Sequence, residues 1–246
     1  MKTVGKAMQI LEILVASYEP LKIKDICEQC DINRASAYKM LAVLCEYGYV
    51  NKVMNNSRYQ IGPKLLDVHG FIVRNTKLGP IALPYMEHLY KKCEQSINLM
   101  MLLGKNGYYV TIIEHPDGDP ANNNHVGSTD YLHATALGKA MMAYLPRDRV
   151  EEIIESNGLD AISPNTITDK KSFLLELDST RSRGYAIDDQ EARLGSRCVA
   201  APIFNKCGDV IAAISVAGVA TSVPISRIIE YSSLVIDAAK GISSGL

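Results

Sequence analysis

The chain has 246 residues, of which 47% are apolar and 22% charged, with no Trp and three Phe; this composition excludes an intrinsically disordered chain and suits a small domain beside a larger one. No stretch reaches the ~18 uncharged apolar residues of a membrane span, and the opening residues lead into an amphipathic segment rather than a secretory core, so a cytoplasmic protein with no membrane partner is expected. The net charge of −1 conceals eight Lys or Arg against six Asp or Glu in residues 1–62, and eighteen against twenty-one in residues 63–246, an asymmetry whose direction agrees with an N-terminal nucleic-acid module but is too small to establish one.

Residues 7–15 place Met8, Leu11, Leu14 and Val15 on one helical face, and Tyr18-Glu19-Pro20 stops that helix. Ile23, Ile26, Cys27 and Cys30 repeat with the same period on a second short helix, broken at Asp31-Ile32-Asn33 before a third begins at Arg34. Two short helices joined by a tight turn fit a helix-turn-helix. On the third helix Ala37, Met40, Leu41 and Leu44 face a core, which leaves Arg34, Ala35, Ser36, Tyr38 and Lys39 for base edges and phosphates in a major groove. Residues 50–53 and 58–61 flank the polar turn Asn55-Asn56-Ser57 and read as a β-hairpin wing, on which Lys52 and Arg58 either reach flanking phosphates or a minor groove or belong to a simply solvated hairpin. Periodicity alone leaves a second reading open, a three-helix unit used for protein contacts.

The six cysteines lie mostly among apolar neighbours of a chain too large to need disulfide staples, so reduced thiols are expected. Cys27 and Cys30 form a C-x-x-C without a second ligand pair at zinc spacing, which leaves a metal or redox role only as an alternative.

Pro63 to Gly79 reads as a linker helix with Leu65, Leu66 and Phe71 or Ile72 on its apolar side, followed by Pro80 and Pro84 before a helix ending near Cys93. Residues 97–103 and 108–113 are strand-like around Gly104-Lys105-Asn106-Gly107, and residues 199–204 and 210–216 repeat the arrangement around Asn205-Lys206-Cys207-Gly208. Helical segments are expected at 136–144, 149–155, 171–181 and 225–242, giving an α+β domain with helices packed on an antiparallel sheet. Thr135 caps the helix starting at Ala136-Leu137-Gly138, whose small residues leave backbone N–H groups open to an anion. Asp188, Cys198 and Ser215 supply an acceptor, a small polarisable group and a hydroxyl suited to a small hydroxy- or keto-acid. Each also has a packing role open to it, Cys198 above all. His125 and His133 with Asp188 and Cys198 are an alternative metal set, and Cys198 with His133 an alternative nucleophile and base, neither supported by spacing; no catalytic residue, metal or cofactor is assigned.

The stretches 21–41, Gly48-Tyr49-Val50 and 59–66, then Leu132-His133-Ala134-Thr135-Ala136-Leu137-Gly138-Lys139-Ala140, 183–191, 195–203 and 212–218, resemble in order the DNA-binding and effector-domain signatures of the IclR family. The resemblance implies a winged helix-turn-helix at 1–62, a linker helix at 63–79 and a GAF-like effector-binding and oligomerisation domain at 80–246. It also implies a regulator, read as a repressor, that binds double-stranded operator DNA as a homodimer or homotetramer under control of a small acidic effector. Its effector contacts fall on Ala136 and Leu137 by backbone and on Asp188, Cys198 and Ser215, while Ala217 stands where family members carry a second serine.

Overall fold

The computed structural model describes residues 2–17, 19–53, 57–67, 77–118 and 123–246, which divide into two compact units, Met1–Asn75 and Thr76–Leu246. In the first, α1 (Lys2–Ala16), β1 (Leu21–Lys22), α2 (Ile23–Cys30), α3 (Arg34–Glu46), β2 (Val50–Val53) and β3 (Arg58–Ile61) surround a small core, and the strands form one antiparallel sheet in the order β1-β3-β2. Ile10, Leu14, Ile26, Cys30, Ala37, Leu41, Val50 and Tyr59 are its buried centre. Met40 packs against it partly buried. The buried stripe of α1 matches the expected one only in part: Leu14 is buried and Leu11 packs against the core, but Ile10 is wholly buried, whereas Met8 and Val15 are exposed. Apolar residues lie on more than one side of this helix, and periodicity does not say which side the core covers. Lys6 Nζ donates to the Cys30 carbonyl at 2.6 Å, placing a cation on the C-terminal end of α2.

The two-residue strand β1, not expected from the sequence, gives the wing a third strand. Asn55 and Asn56 lie outside the described residues, and so do Phe71, Ile72 and most of the expected linker helix. Of that linker, residues 64–67 form a helical turn on which Leu66 is exposed.

The second unit is built on a six-stranded antiparallel sheet in the order β6-β5-β4-β9-β8-β7: β4 (Ser96–Leu103), β5 (Asn106–Ile113), β6 (Thr129–Asp130), β7 (Ala186–Asp189), β8 (Ser196–Phe204) and β9 (Val210–Val219). Alternation sends Ile97, Leu99, Val199, Ile203, Ile214 and Val216 to one face. There they meet α4 (Leu78–Cys93), through Ala82, Met86 and Leu89, and the C-terminal α8 (Ile228–Gly245), through Tyr231, Val235 and Ile242. The other face carries Met100, Cys198, Ala200 and Ala213 and is covered by α5 (Ala136–Met142), α6 (Arg147–Asn157) and α7 (Lys170–Arg183). Both hairpins and all four helical segments read from the sequence are present, with ends displaced by a few residues. Helix α4 starts at Leu78, before the prolines expected to precede it. Pro80 lies in the first turn, where a missing N–H costs no bond, and only Pro84 removes one.

Small residues on the second face allow close approach. A Cβ on Gly138 would lie 2.1 Å from the Leu132 carbonyl oxygen, so the turn before α5 folds against the helix only with glycine there.

Candidate functional site

In the N-terminal unit Asn33 is extended, and its Oδ1 accepts the Ser36 N–H at 2.9 Å, which starts α3 at Arg34. Ala37, Leu41 and Leu44 anchor the helix, and Arg34, Ala35, Tyr38 and Lys39 are exposed with Ser36 half-buried. The solvent face continues past the residues singled out from the sequence to Ala42, Val43 and Glu46. The Arg34 and Ala35 N–H groups make no bond among the described residues, as at any helix start. On the wing Lys52 is exposed, but Arg58 is half-buried and donates from Nη1 to the Pro20 carbonyl at 3.1 Å, tying β3 to the turn after α1.

In the C-terminal unit a cavity of about 100 Å³ opens on the small-residue face of the sheet. Strand register explains its wall. Asp188 on β7 pairs with Cys198 on β8, Cys198 with Ala217 on β9, and Ala217 with Ser96 on β4, so these four side chains form one row. Two residues along lies the row Ala186, Ala200, Ser215, Asn98. Asp188, Cys198 and Leu137 line the cavity together with Asn98, Ser96, Tyr109, Asp130 and Arg193. Ala136 and Ser215 are wholly buried behind the wall, where Ser215 Oγ accepts from Asn98 Nδ2 at 3.5 Å and hydrogen-bonds the Cys198 thiol.

Thr135 caps α5 by accepting the Gly138 N–H at 3.1 Å, leaving the Ala136 and Leu137 N–H groups without bonds among the described residues. Asp188 Oδ1 accepts from the N–H groups of Glu191 and Ala192 at 2.7 and 3.2 Å, so Oδ2 is the oxygen left for the cavity. Burial pushes the Asp188 carboxyl up to about 7 against the opposing pull of those N–H groups and of Lys139. Burial and the nearby Asp188 charge push the Cys198 thiol up to about 12, which describes a packed neutral thiol rather than a nucleophile. Tyr109 donates to Asp130 Oδ2 at 3.0 Å and accepts from Asn124 at 2.8 Å, and burial beside Asp130 raises its phenol.

Asn98, Ser96, Tyr109 and Asp130 were not legible as site residues in the sequence, because only the pairing of β4 with β9 and β5, and of β5 with β6, brings them to the cavity that Ala217 and Cys198 line. His133 is buried elsewhere, its Nε2 on the Asp160 carbonyl at 3.0 Å, and His125 is exposed on the Asn123 carbonyl; neither lines the cavity. Among the described residues no three His, Cys, Asp or Glu side chains form a metal-binding group, and Cys27 and Cys30 are both free thiols. No helix among them is long and apolar enough to cross a membrane.

Comparison with known proteins covers both units. Residues 3–53 match the IclR helix-turn-helix domain, and residues 70–244 match the bacterial transcriptional regulator IclR C-terminal domain. The chain is 28% identical over 245 residues to the HTH-type transcriptional regulator XynR of Escherichia coli, covering 100% of this chain and 97% of that one. It is 26% identical to the transcriptional repressor IclR of the same organism, covering 98% and 89%. Among solved structures, the Thermotoga maritima IclR superposes with a TM-score of 0.80 at 31% identity, covering 100% and 99% of the two chains. An IclR homolog from Microbacterium hydrocarbonoxydans complexed with 4-hydroxybenzoate superposes at 0.86 over 98% of each chain, with 19% identity. A helix-turn-helix unit followed by a helix-covered antiparallel sheet, each matching its own family model in the same order, places this chain in the IclR family of bacterial transcriptional regulators, which are DNA-binding proteins and not enzymes.

Proposed function

We propose that α3 and the wing bind operator DNA, and that a small carboxylate-containing metabolite in the sheet cavity controls that binding, with repression as the basal activity. The observation that carries the reading is the cavity itself: Arg193, Asp188 and Leu137 line it, and the Leu137 N–H at the start of α5 makes no bond among the described residues. Backbone N–H groups and a guanidinium suit an anion. The relative complexed with 4-hydroxybenzoate shares the fold and holds a small carboxylic acid. Repression as the sign follows the E. coli relative named a repressor.

One helix-turn-helix reads only a few base pairs, so the operator is expected to be a palindrome read by a homodimer or a dimer of dimers, with half-sites ~34 Å apart or a multiple of that. Arg34→Ala or Lys39→Ala is expected to weaken operator binding about tenfold and to make the slope of log affinity against log salt shallower by about one for each phosphate no longer neutralised, with effector binding unchanged. Fluorescence anisotropy on an operator fragment across a salt series checks this; unchanged affinity in both variants would remove α3 as the reading helix.

A thermal-shift screen of small hydroxy-, keto-, sugar and aromatic acids tests the sensor reading. A stabilising acid is expected, and Asp188→Ala is expected to abolish its effect while operator binding persists. Stabilisation that survives in Asp188→Ala would move the effector site elsewhere.

A further inference from the structure

We infer that the C-terminal unit carries a second ligand site, beside the sheet cavity, for an uncharged molecule with an apolar body and a hydroxyl group, which His133 recognises through Nδ1.

The site is a cavity of about 390 Å³ between residues 129–133, the end of α5 and the last turn of α6. That volume lies within the ~300–1,000 Å³ of small-molecule sites. Leu132, Met142 and Ile153, all buried, and the half-buried Ile154 and Leu159 give it an aliphatic wall. Among the described residues only Asp130 lines both this cavity and the one on the sheet.

His133 is 4% exposed and lines the second cavity. Its ring is held on three sides: Nε2 donates to the Asp160 carbonyl at 3.0 Å, and Tyr131 and Phe173 meet it edge-on with ring centres 6.0 and 6.4 Å away. A carbonyl oxygen only accepts, so the proton sits on Nε2 and, in the neutral ring, Nδ1 is a bare acceptor. Nδ1 makes no bond among the described residues. Unlike Asn98 Oδ1, Glu191 Oε2 and Tyr231 Oη, which are unpaired and sealed, it keeps accessible surface, and the cavity is what that surface faces.

A water molecule meets this acceptor but not the aliphatic wall around it, whereas a hydroxyl on an apolar body meets both. A carboxylate brings no donor, and among the described residues no Lys or Arg lines the cavity to pair with it. Both oxygens of Asp130 already accept, from the Tyr109 hydroxyl and the Tyr131 N–H, so the one acid in the wall does not call for a cation. The ligand class therefore differs from the acid proposed for the sheet cavity, and neither reading depends on the other.

The test is isothermal titration of the full chain at pH 8 with p-cresol against three relatives. Toluene lacks the hydroxyl, 4-methylanisole keeps the oxygen but loses the donor, and 4-methylbenzylamine is a cation. In wild type and in Asp188→Ala, p-cresol is expected to bind roughly fivefold or more tightly than each of the three, as one hydrogen bond made or lost would give. His133→Phe keeps a ring of similar shape without the acceptor and should erase the preference over toluene while toluene binds as before. If that variant fails to fold, Ile154→Trp, which adds an indole to the cavity wall, should abolish p-cresol binding. The inference is overturned if p-cresol does not bind, binds no better than any one of the three, or is lost in Asp188→Ala. A preference intact in folded His133→Phe, or an affinity intact in Ile154→Trp, would overturn it equally.

Discussion

Replacing Lys139 by methionine is expected to lower the melting temperature by roughly 6–20 °C, the equivalent of ~3–5 kcal/mol for breaking a buried ion pair in a chain of this size. Lys139 is 0% exposed, and its ammonium lies 2.5 Å from Glu191 Oε1 and 4.0 Å from Glu176, which Arg183 also holds at 2.7 Å. Removing the ammonium leaves Glu191 a buried carboxylate whose other oxygen, Oε2, already lacks a partner. Burial raises the Glu191 carboxyl even with Lys139 opposing it, so in the variant the group would be driven further toward its neutral form. The pair also holds the turn whose N–H groups grip Asp188, while Thr166 Oγ1 donates to the Glu191 carbonyl at 2.7 Å from the other side. The double variant Lys139→Met, Glu191→Leu removes both charges and is expected to recover most of the lost stability. Thermal denaturation of the three proteins decides it: a single variant that melts within 2–3 °C of wild type, ~1 kcal/mol by the same conversion, would mean that the pair contributes little.

The second large effect is a stability difference that depends on pH. Burial raises the Asp188 carboxyl from 3.8 to about 7, so the folded state favours its neutral form. A carboxyl raised on folding contributes stability that is fully present below the unfolded value, near pH 4, and is lost as pH rises through 7. Asp188→Asn keeps an oxygen for the Glu191 and Ala192 N–H groups and does not titrate. At pH 8 it is expected to exceed wild type by ~2–4 kcal/mol more than it does at pH 4, since each tenfold change in the ionisation constant between unfolded and folded states is worth ~1.4 kcal/mol. Groups common to both proteins largely cancel in the comparison. Melting curves of the pair from pH 4 to 8 provide the measurement, and a difference that stays constant would contradict a buried neutral Asp188.

Local signals in the chain marked most of the elements and their order, the short strands β1, β6 and β7 excepted. Helical period marked α1, α2 and α3, strand-like runs around Gly- and Asn-containing turns marked both hairpins of the large sheet, and Thr135 as the cap of α5 with Asp188 and Cys198 located one half of the cavity. These signals are local, because backbone sterics and turn chemistry act between near neighbours. Which side of an element is covered is not local. Helix α1 carries apolar residues on several sides, and only the placement of α2, α3 and β3 decided that Ile10 is buried while Met8 and Val15 face solvent. The other half of the cavity was decided in the same way: Asn98 and Ser215 are 117 residues apart in the chain and adjacent because β4 pairs with β9. Lys139 reads as an ordinary surface lysine until Glu191, 52 residues later, is folded onto it. Burial converts that pair, Asp188 and Asn98 from soluble polar groups into ones that need partners, and burial is a property of the packed structure alone.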